Sequence, residues 1–293
     1  MLKPNSNIAK TNHADPEARL YNGKYYIYAT KSRPYNQQKN IDLYISDDGE
    51  HWREKKDIID MSTFPYTKNA VWAPSVIEKN GLYYLIFAIN DIQNNNEDGG
   101  LEIAVSSSPE GPFVNHIGTH LIDKFINGAQ PIDAHFFKDD DDKIYLFYGG
   151  WDHCNVALMN EDMNGFVPLP NGDLIKEITP QGYHEAPCMF KRNDVYYFMW
   201  STGNWKDGTY KDLYGMADSP LATFEPINEI LNNDNDVAKA PGHNGYIEDI
   251  DGQYYVFYHR RPLDKTMCHC RILAIDKMNF DDNGRIQKIQ MMK

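Results

Sequence analysis

Five segments of this chain read as variants of one unit: RLYNGKYYIYATKS from Arg19, VIEKNGLYYLIFAIND from Val76, FFKDDDDKIYLFYGG from Phe136, MFKRNDVYYFMWSTG from Met189 and YIEDIDGQYYVFYHRR from Tyr246. Each predicts a short strand, a tight turn and a second, more aromatic strand. Asn22-Gly23, Asn80-Gly81 and Asp251-Gly252 supply the positive φ that two-residue hairpins need, with Arg192-Asn193-Asp194 as a weaker version of the same signal. The acidic run Asp139 to Asp142 falls where the unit requires a loop and is read as a solvated hairpin tip.

A second set follows at a regular interval: IDLYISDDGEHW from Ile41, LEIAVSSSPEGPF from Leu101, NVALMNEDMNGF from Asn155, DLYGMADSPLATF from Asp212 and RILAIDKMNFDDNG from Arg271. These alternate like half-buried strands and break at polar turns. Hairpin, third strand and short fourth strand make a four-stranded antiparallel unit that recurs about every 50–60 residues. Five such units predict an all-β, five-bladed β-propeller occupying residues 1–293 as a single domain. A β-sandwich also has many short strands, but does not call for five similar copies.

Composition narrows the function. With 29 Lys plus Arg against 42 Asp plus Glu, the formal charge is −13, which argues against a nucleic-acid partner. No apolar run approaches membrane-spanning length. The N-terminal stretch lacks the apolar core of a signal peptide, so the sequence predicts a cytoplasmic protein or one whose leader has been removed. Cys154, Cys188, Cys268 and Cys270 are read as reduced thiols. Strand alternation over Cys268-His269-Cys270 would put the sulfurs and the imidazole on opposite faces, against a metal site.

In a propeller the first strand of each blade lines a central channel, so side chains at equivalent positions converge. Aligning the blades on Tyr25, Tyr83, Ile144, Val195 and Tyr254 and counting back about ten residues reaches Asp15, Ala73, Asp133, Glu185 and His243. Three of these are acids. Convergent carboxylates repel one another and raise at least one pKa, an arrangement suited to general acid-base chemistry on a neutral polyhydroxylated substrate.

The motifs His13-Ala14-Asp15-Pro16, Val71-Trp72-Ala73-Pro74, Ile132-Asp133-Ala134, His184-Glu185-Ala186-Pro187 and Pro241-Gly242-His243-Asn244-Gly245 resemble those of glycoside hydrolase family 43 along nearly the whole chain. Ala134 stands where the family more often has Pro. The resemblance implies that Asp15 is the general base, Glu185 the general acid and Asp133 the pKa modulator of an inverting glycosidase. The resemblance implies Arg271 and His243 as substrate-pocket residues; Trp72, at the head of blade two, is read as stacking on a sugar ring, and His184, beside Glu185, as a substrate contact or a group that tunes its pKa. His243 also matches a family histidine that lies near a calcium ion or a water, so an indirect structural calcium is an open expectation; no cofactor is required. The implied activity is exo-release of α-L-arabinofuranosyl or β-D-xylosyl residues from plant-derived oligosaccharides. An endo-arabinanase and a catalytically inactive carbohydrate-binding propeller are the alternatives.

Overall fold

The computed structural model describes residues 1–5 and 8–293. They form five antiparallel sheets around one axis. Blade one comprises His13–Tyr21, Lys24–Lys31, Ile41–Ser46 and Arg53–Lys55. Blade two comprises Trp72–Lys79, Leu82–Ile89, Gly100–Ser106 and Val114–Asn115. His135–Lys138, Ile144–Tyr148, Asn155–Met159 and Phe166–Val167 make blade three, where Ile175–Glu177 also pairs with the third strand. Blade four is Glu185–Arg192, Val195–Thr202, Lys211–Ala217 and Asn228–Leu231, and blade five is Ala238–Glu248, Tyr254–Pro262 and Ile272–Met278.

The expectation of four strands per blade therefore holds for three blades, and blade five has three. The N-terminal segment closes that edge: Asn5 exchanges both backbone hydrogen bonds with Ile275, at 2.9 and 2.8 Å. Asp249 accepts from the Leu2 amide at 2.8 Å and from the Tyr25 hydroxyl at 2.6 Å, tying blade five to blade one. A sheet edge that would otherwise present unpaired amides is thus partly satisfied.

The predicted hairpin turns form at Asn22-Gly23, Asn80-Gly81 and Asn193-Asp194, all with positive φ at both positions. Asp251-Gly252 differs. There Glu248 pairs with Tyr254 around a five-residue loop in which Gly252 alone has positive φ. Blade three builds the same loop over Asp139 to Lys143, with Asp142 in Gly252's place, and most of the acidic tip is exposed. Cys268, His269 and Cys270 lie in a turn and not on a strand, so the alternation argument does not apply. All four cysteines are free thiols.

Aromatic pairs on the second strands, Tyr25-Tyr26, Tyr83-Tyr84, Tyr196-Tyr197 and Tyr254-Tyr255, are buried and fill the layers between blades. Farther along the first strand than Asp15, Arg19 donates to the carbonyls of Val76 at 2.7 Å and Phe136 at 3.0 Å and pairs with Glu17. One guanidinium thereby ties blades one, two and three across the channel.

Candidate active site

A backbone irregularity sets the site. In blades one, two, four and five the first strand carries one extra residue relative to the second, between Ala14 and Glu17, Trp72 and Ser75, Glu185 and Cys188, and Gly242 and Gly245. Such bulges re-aim side chains and are common beside active sites. Within them Asp15, Ala73, Ala186 and His243 have φ of 51°, 49°, 61° and 49°, and Asp133 at the head of blade three has 53°. Left-handed backbone at non-glycine residues costs on the order of 1–3 kcal/mol each and persists only where the surroundings impose it.

This register corrects one step of the sequence alignment. Val195 pairs with Arg192 as Lys24 pairs with Tyr21, so the counterpart of Tyr25 is Tyr196. Glu185 consequently stands one place before the left-handed residue, where blade two has Trp72, and Ala186 occupies the position equivalent to Asp15.

All seven residues singled out in the sequence, Asp15, Trp72, Asp133, His184, Glu185, His243 and Arg271, line one pocket of about 210 Å³. Asp15 is buried, and its Oδ1 accepts from Arg271 Nη1 at 3.1 Å. His259 Nδ1 lies 3.3 Å from both the amide nitrogen and Oδ1 of Asp15. Burial pushes the Asp15 carboxyl up, but Arg271, His243 and His259 together outweigh it and hold the group well below the usual carboxylate range. Asp133 behaves in the opposite way. Burial, reinforced by the charges of Glu185 and Asp15, drives its carboxyl well up, with Arg271 only partly opposing.

His243 Nδ1 is 3.5 Å from Asp15 Oδ1 and 3.5 Å from Asp133 Oδ2, so one imidazole bridges the two acids. Burial lowers its pKa and favours the neutral ring. Its backbone amide donates to Ser201 Oγ at 2.9 Å, and Ser201 donates to Asp212 at 2.6 Å. Glu185 accepts from the Tyr210 hydroxyl at 2.8 Å, and His184 Nδ1 lies 2.8 Å from Asp152 Oδ1. Trp72 stacks against Tyr35 with ring centroids 6.1 Å apart, and the Arg271 guanidinium lies 4.4 Å from the Trp205 ring. His13 is fully buried against Asp42, Thr11 and Tyr44 and is absent from the pocket lining.

Tyr210, His259, Tyr35, Asp91 and Gln130 went unnoticed in the sequence. They lie on loops and, for His259, within the second strand of blade five, outside the head motifs, and the only signal was that His259 stands in that aromatic strand. Trp151, Asn204 and Trp205, also outside the head motifs, line the pocket.

Calcium takes six to eight oxygen ligands. Around His243 the structure offers imidazole nitrogen, and the nearby Asp15 carboxylate already engages Arg271. That set does not fit a directly coordinated calcium ion. A second group, His13, Asp42 and Glu54, brings ligand atoms within 4.8 Å of one another, but it lies outside the pocket and Lys31 sits 3.2 Å from Asp42.

Comparison with known proteins agrees with this architecture. The sequence pattern of glycosyl hydrolases family 43 matches residues 5–286. A β-D-galactofuranosidase of Aspergillus niger is 37% identical over 95% of this chain and 83% of its own length. A β-xylosidase of Xylanibacter ruminicola is 28% identical over 94% of this chain and 96% of its own. Among solved structures, an α-L-arabinofuranosidase from Clostridium thermocellum superposes with a TM-score of 0.75 at 27% identity, covering 95% of this chain and 94% of that one. A β-xylosidase/α-arabinofuranosidase from a compost metagenome, solved with xylotriose in a calcium-free form, shares the fold at a TM-score of 0.79 and 24% identity, covering 98% of each chain. With its pattern matched over nearly its whole length and its three acids in one pocket, this chain belongs to glycosyl hydrolase family 43.

Proposed function

We propose that this enzyme is an inverting exo-glycosidase that releases terminal furanosyl residues, α-L-arabinofuranosyl or β-D-galactofuranosyl, from oligosaccharides. The observation that carries the reading is the convergence of Asp15, Asp133 and Glu185 in a single small pocket in which Asp15 is kept ionised by Arg271. In this mechanism Asp15 takes a proton from a water as that water attacks the anomeric carbon. Glu185 gives its proton to the departing glycosidic oxygen, the C–O bond breaks, and the sugar leaves with inverted configuration. Exchange with solvent then returns a proton to Glu185 and removes one from Asp15. The raised affinity of Asp133 for a proton weakens the negative charge it turns toward Glu185, and His243 spaces Asp133 from Asp15.

The two furanosyl rings have the same configuration at every ring carbon, which is why one pocket can serve both. The 37% identity to a β-D-galactofuranosidase supports adding that sugar to the arabinose expected from the motifs. A β-D-xylosyl substrate is the second reading, supported by the relative named a β-xylosidase. The test is a panel of aryl furanosides and xylosides, with the anomer of the released sugar followed by NMR. Retention of configuration overturns inversion. Full activity in Glu185→Ala overturns the assignment of the acid.

A further inference from the structure

The pocket holds a fourth carboxylate that acid-base chemistry does not use. Asp91 follows the second strand of blade two, lines the pocket, and makes no ion pair among the described residues. Its Oδ1 accepts from Gln130 Nε2 at 3.2 Å. Gln130 is 2% exposed, and the same Nε2 donates to the Ile92 carbonyl at 2.8 Å, so a buried amide fixes where the carboxylate points. Asn90 and Asp91 both have left-handed backbone, with φ of 65° and 49°. For Asn90 the strain has a local reason, since its side chain accepts from the Lys68 and Asn69 amides and donates to the Asp98 carbonyl. At Asp91 the local bond is to the carbonyl, which accepts from Gln93 Nε2 at 3.0 Å, and the carboxylate is presented to the pocket. Burial raises the affinity of its carboxyl for a proton, with Gln130, Lys206 and Gln93 opposing and Glu97 reinforcing.

A carboxylate has about four acceptor sites, and on Asp91 Gln130 takes one, with Gln93 as a second neighbouring donor. The remainder suit a pair of neighbouring hydroxyls. The two furanosyl groups proposed above differ in one place: the galactofuranosyl unit replaces a hydrogen on the exocyclic carbon by CH₂OH and so carries an exocyclic 1,2-diol. We propose that Asp91, oriented by Gln130, accepts hydrogen bonds from that diol and sets the preference of this pocket for a hexofuranoside over a pentofuranoside. The inference rests on the furanosidase reading of the same site.

The experiment measures kcat/KM for 4-nitrophenyl β-D-galactofuranoside and 4-nitrophenyl α-L-arabinofuranoside in the wild type and in Asp91→Asn. Hydrogen bonds to a charged acceptor that one substrate makes and the other lacks are expected to lower the galactofuranoside-to-arabinofuranoside ratio about ten-fold to a hundred-fold. An unchanged ratio, with both activities lowered alike, assigns Asp91 to loop structure and overturns the proposal. If the wild type hydrolyses neither compound, the furanosidase reading fails by itself. Asp91 is then tested without turnover, by calorimetry of methyl β-D-galactofuranoside and methyl α-L-arabinofuranoside with Glu185→Gln and with Glu185→Gln/Asp91→Asn. Selective loss of galactofuranoside affinity supports the proposal. Equal loss, no loss, or no binding of either sugar overturns it.

Discussion

The Tyr210 hydroxyl donates to Glu185 Oε1 at 2.8 Å while its ring stacks on His259, centroids 5.7 Å apart and nearly parallel. His259 in turn lies 3.3 Å from Asp15. One buried aromatic therefore connects the carboxylate proposed as acid to the surroundings of the one proposed as base. Gly242 permits the approach, because a Cβ there would meet the Tyr210 ring at 2.5 Å.

Tyr210→Phe removes an orienting hydrogen bond from Glu185, so its effect should follow the need for a proton at the leaving group. About a ten-fold loss in kcat/KM is expected on alkyl furanosides, against under about three-fold on a 2,4-dinitrophenyl furanoside that leaves unaided. Initial rates on the two substrates check it. Equal losses would make Tyr210 a packing residue only.

Arg271→Met leaves burial of Asp15 opposed only by the histidines, so its carboxyl rises and the acid limb of the kcat/KM profile moves to higher pH. Stability obeys the same sign. In the wild type the folded carboxyl lies below its unfolded value of about 3.9, so the stabilisation is complete above that pH and is lost as pH falls toward the folded value. In the variant the gap between folded and unfolded values narrows, so less stabilisation is present above that pH and less is lost in acid. Rate profiles and thermal melts across acid pH read both effects, and an unmoved acid limb would detach Asp15 from Arg271.

Asp133 carries the opposite linkage. Its folded carboxyl sits above the unfolded value, so its contribution to stability is fully present below that value and is lost as pH rises through the folded one. Asp133→Asn is therefore expected to melt about 2–4 °C higher than the wild type at pH 8, with the difference vanishing in acid. Activity should fall at least about a hundred-fold. A variant that melts lower at pH 8 would contradict the linkage.

Asp249→Ala removes the acceptor shared by the Leu2 amide and the buried Tyr25 hydroxyl. The expected cost is about 2–4 kcal/mol, the sum of a buried hydroxyl and an amide left unpaired. Chemical denaturation measures it. A change under about 0.5 kcal/mol would mean that this closure contributes little.

The repeat was legible because propeller strands are short, aromatic and joined by turns with strong local chemistry. That seven residues would share one pocket was legible for the same reason, since they sit in or beside the motifs that open each blade or its third strand. What the sequence hid was register. Asn193-Asp194 forms the same turn as Asn22-Gly23 without a glycine to mark it, so Val195 was aligned one residue out. The bulges were hidden too, because no residue type demands positive φ at Ala73 or Ala186. Tyr210, His259 and Asp91 lie outside the motifs: Asp91 joins the pocket lining, and Tyr210 and His259 are buried beside Glu185 and Asp15.

The bulge at the head of the blades presents two consecutive side chains, and the pocket draws on either. Blade one contributes the second of its pair, Asp15; blade four the first, Glu185; blade two the first, Trp72; blade five the second, His243; and blade three, which lacks the bulge but keeps the left-handed residue at Asp133, both Ile132 and Asp133. Each blade is in effect a socket with two pins, and the backbone that forms the socket is much the same whichever pin is wired. Altering the chemistry of such an enzyme then requires exchanging side chains at ten addresses around one axis, with the sheets behind them left alone.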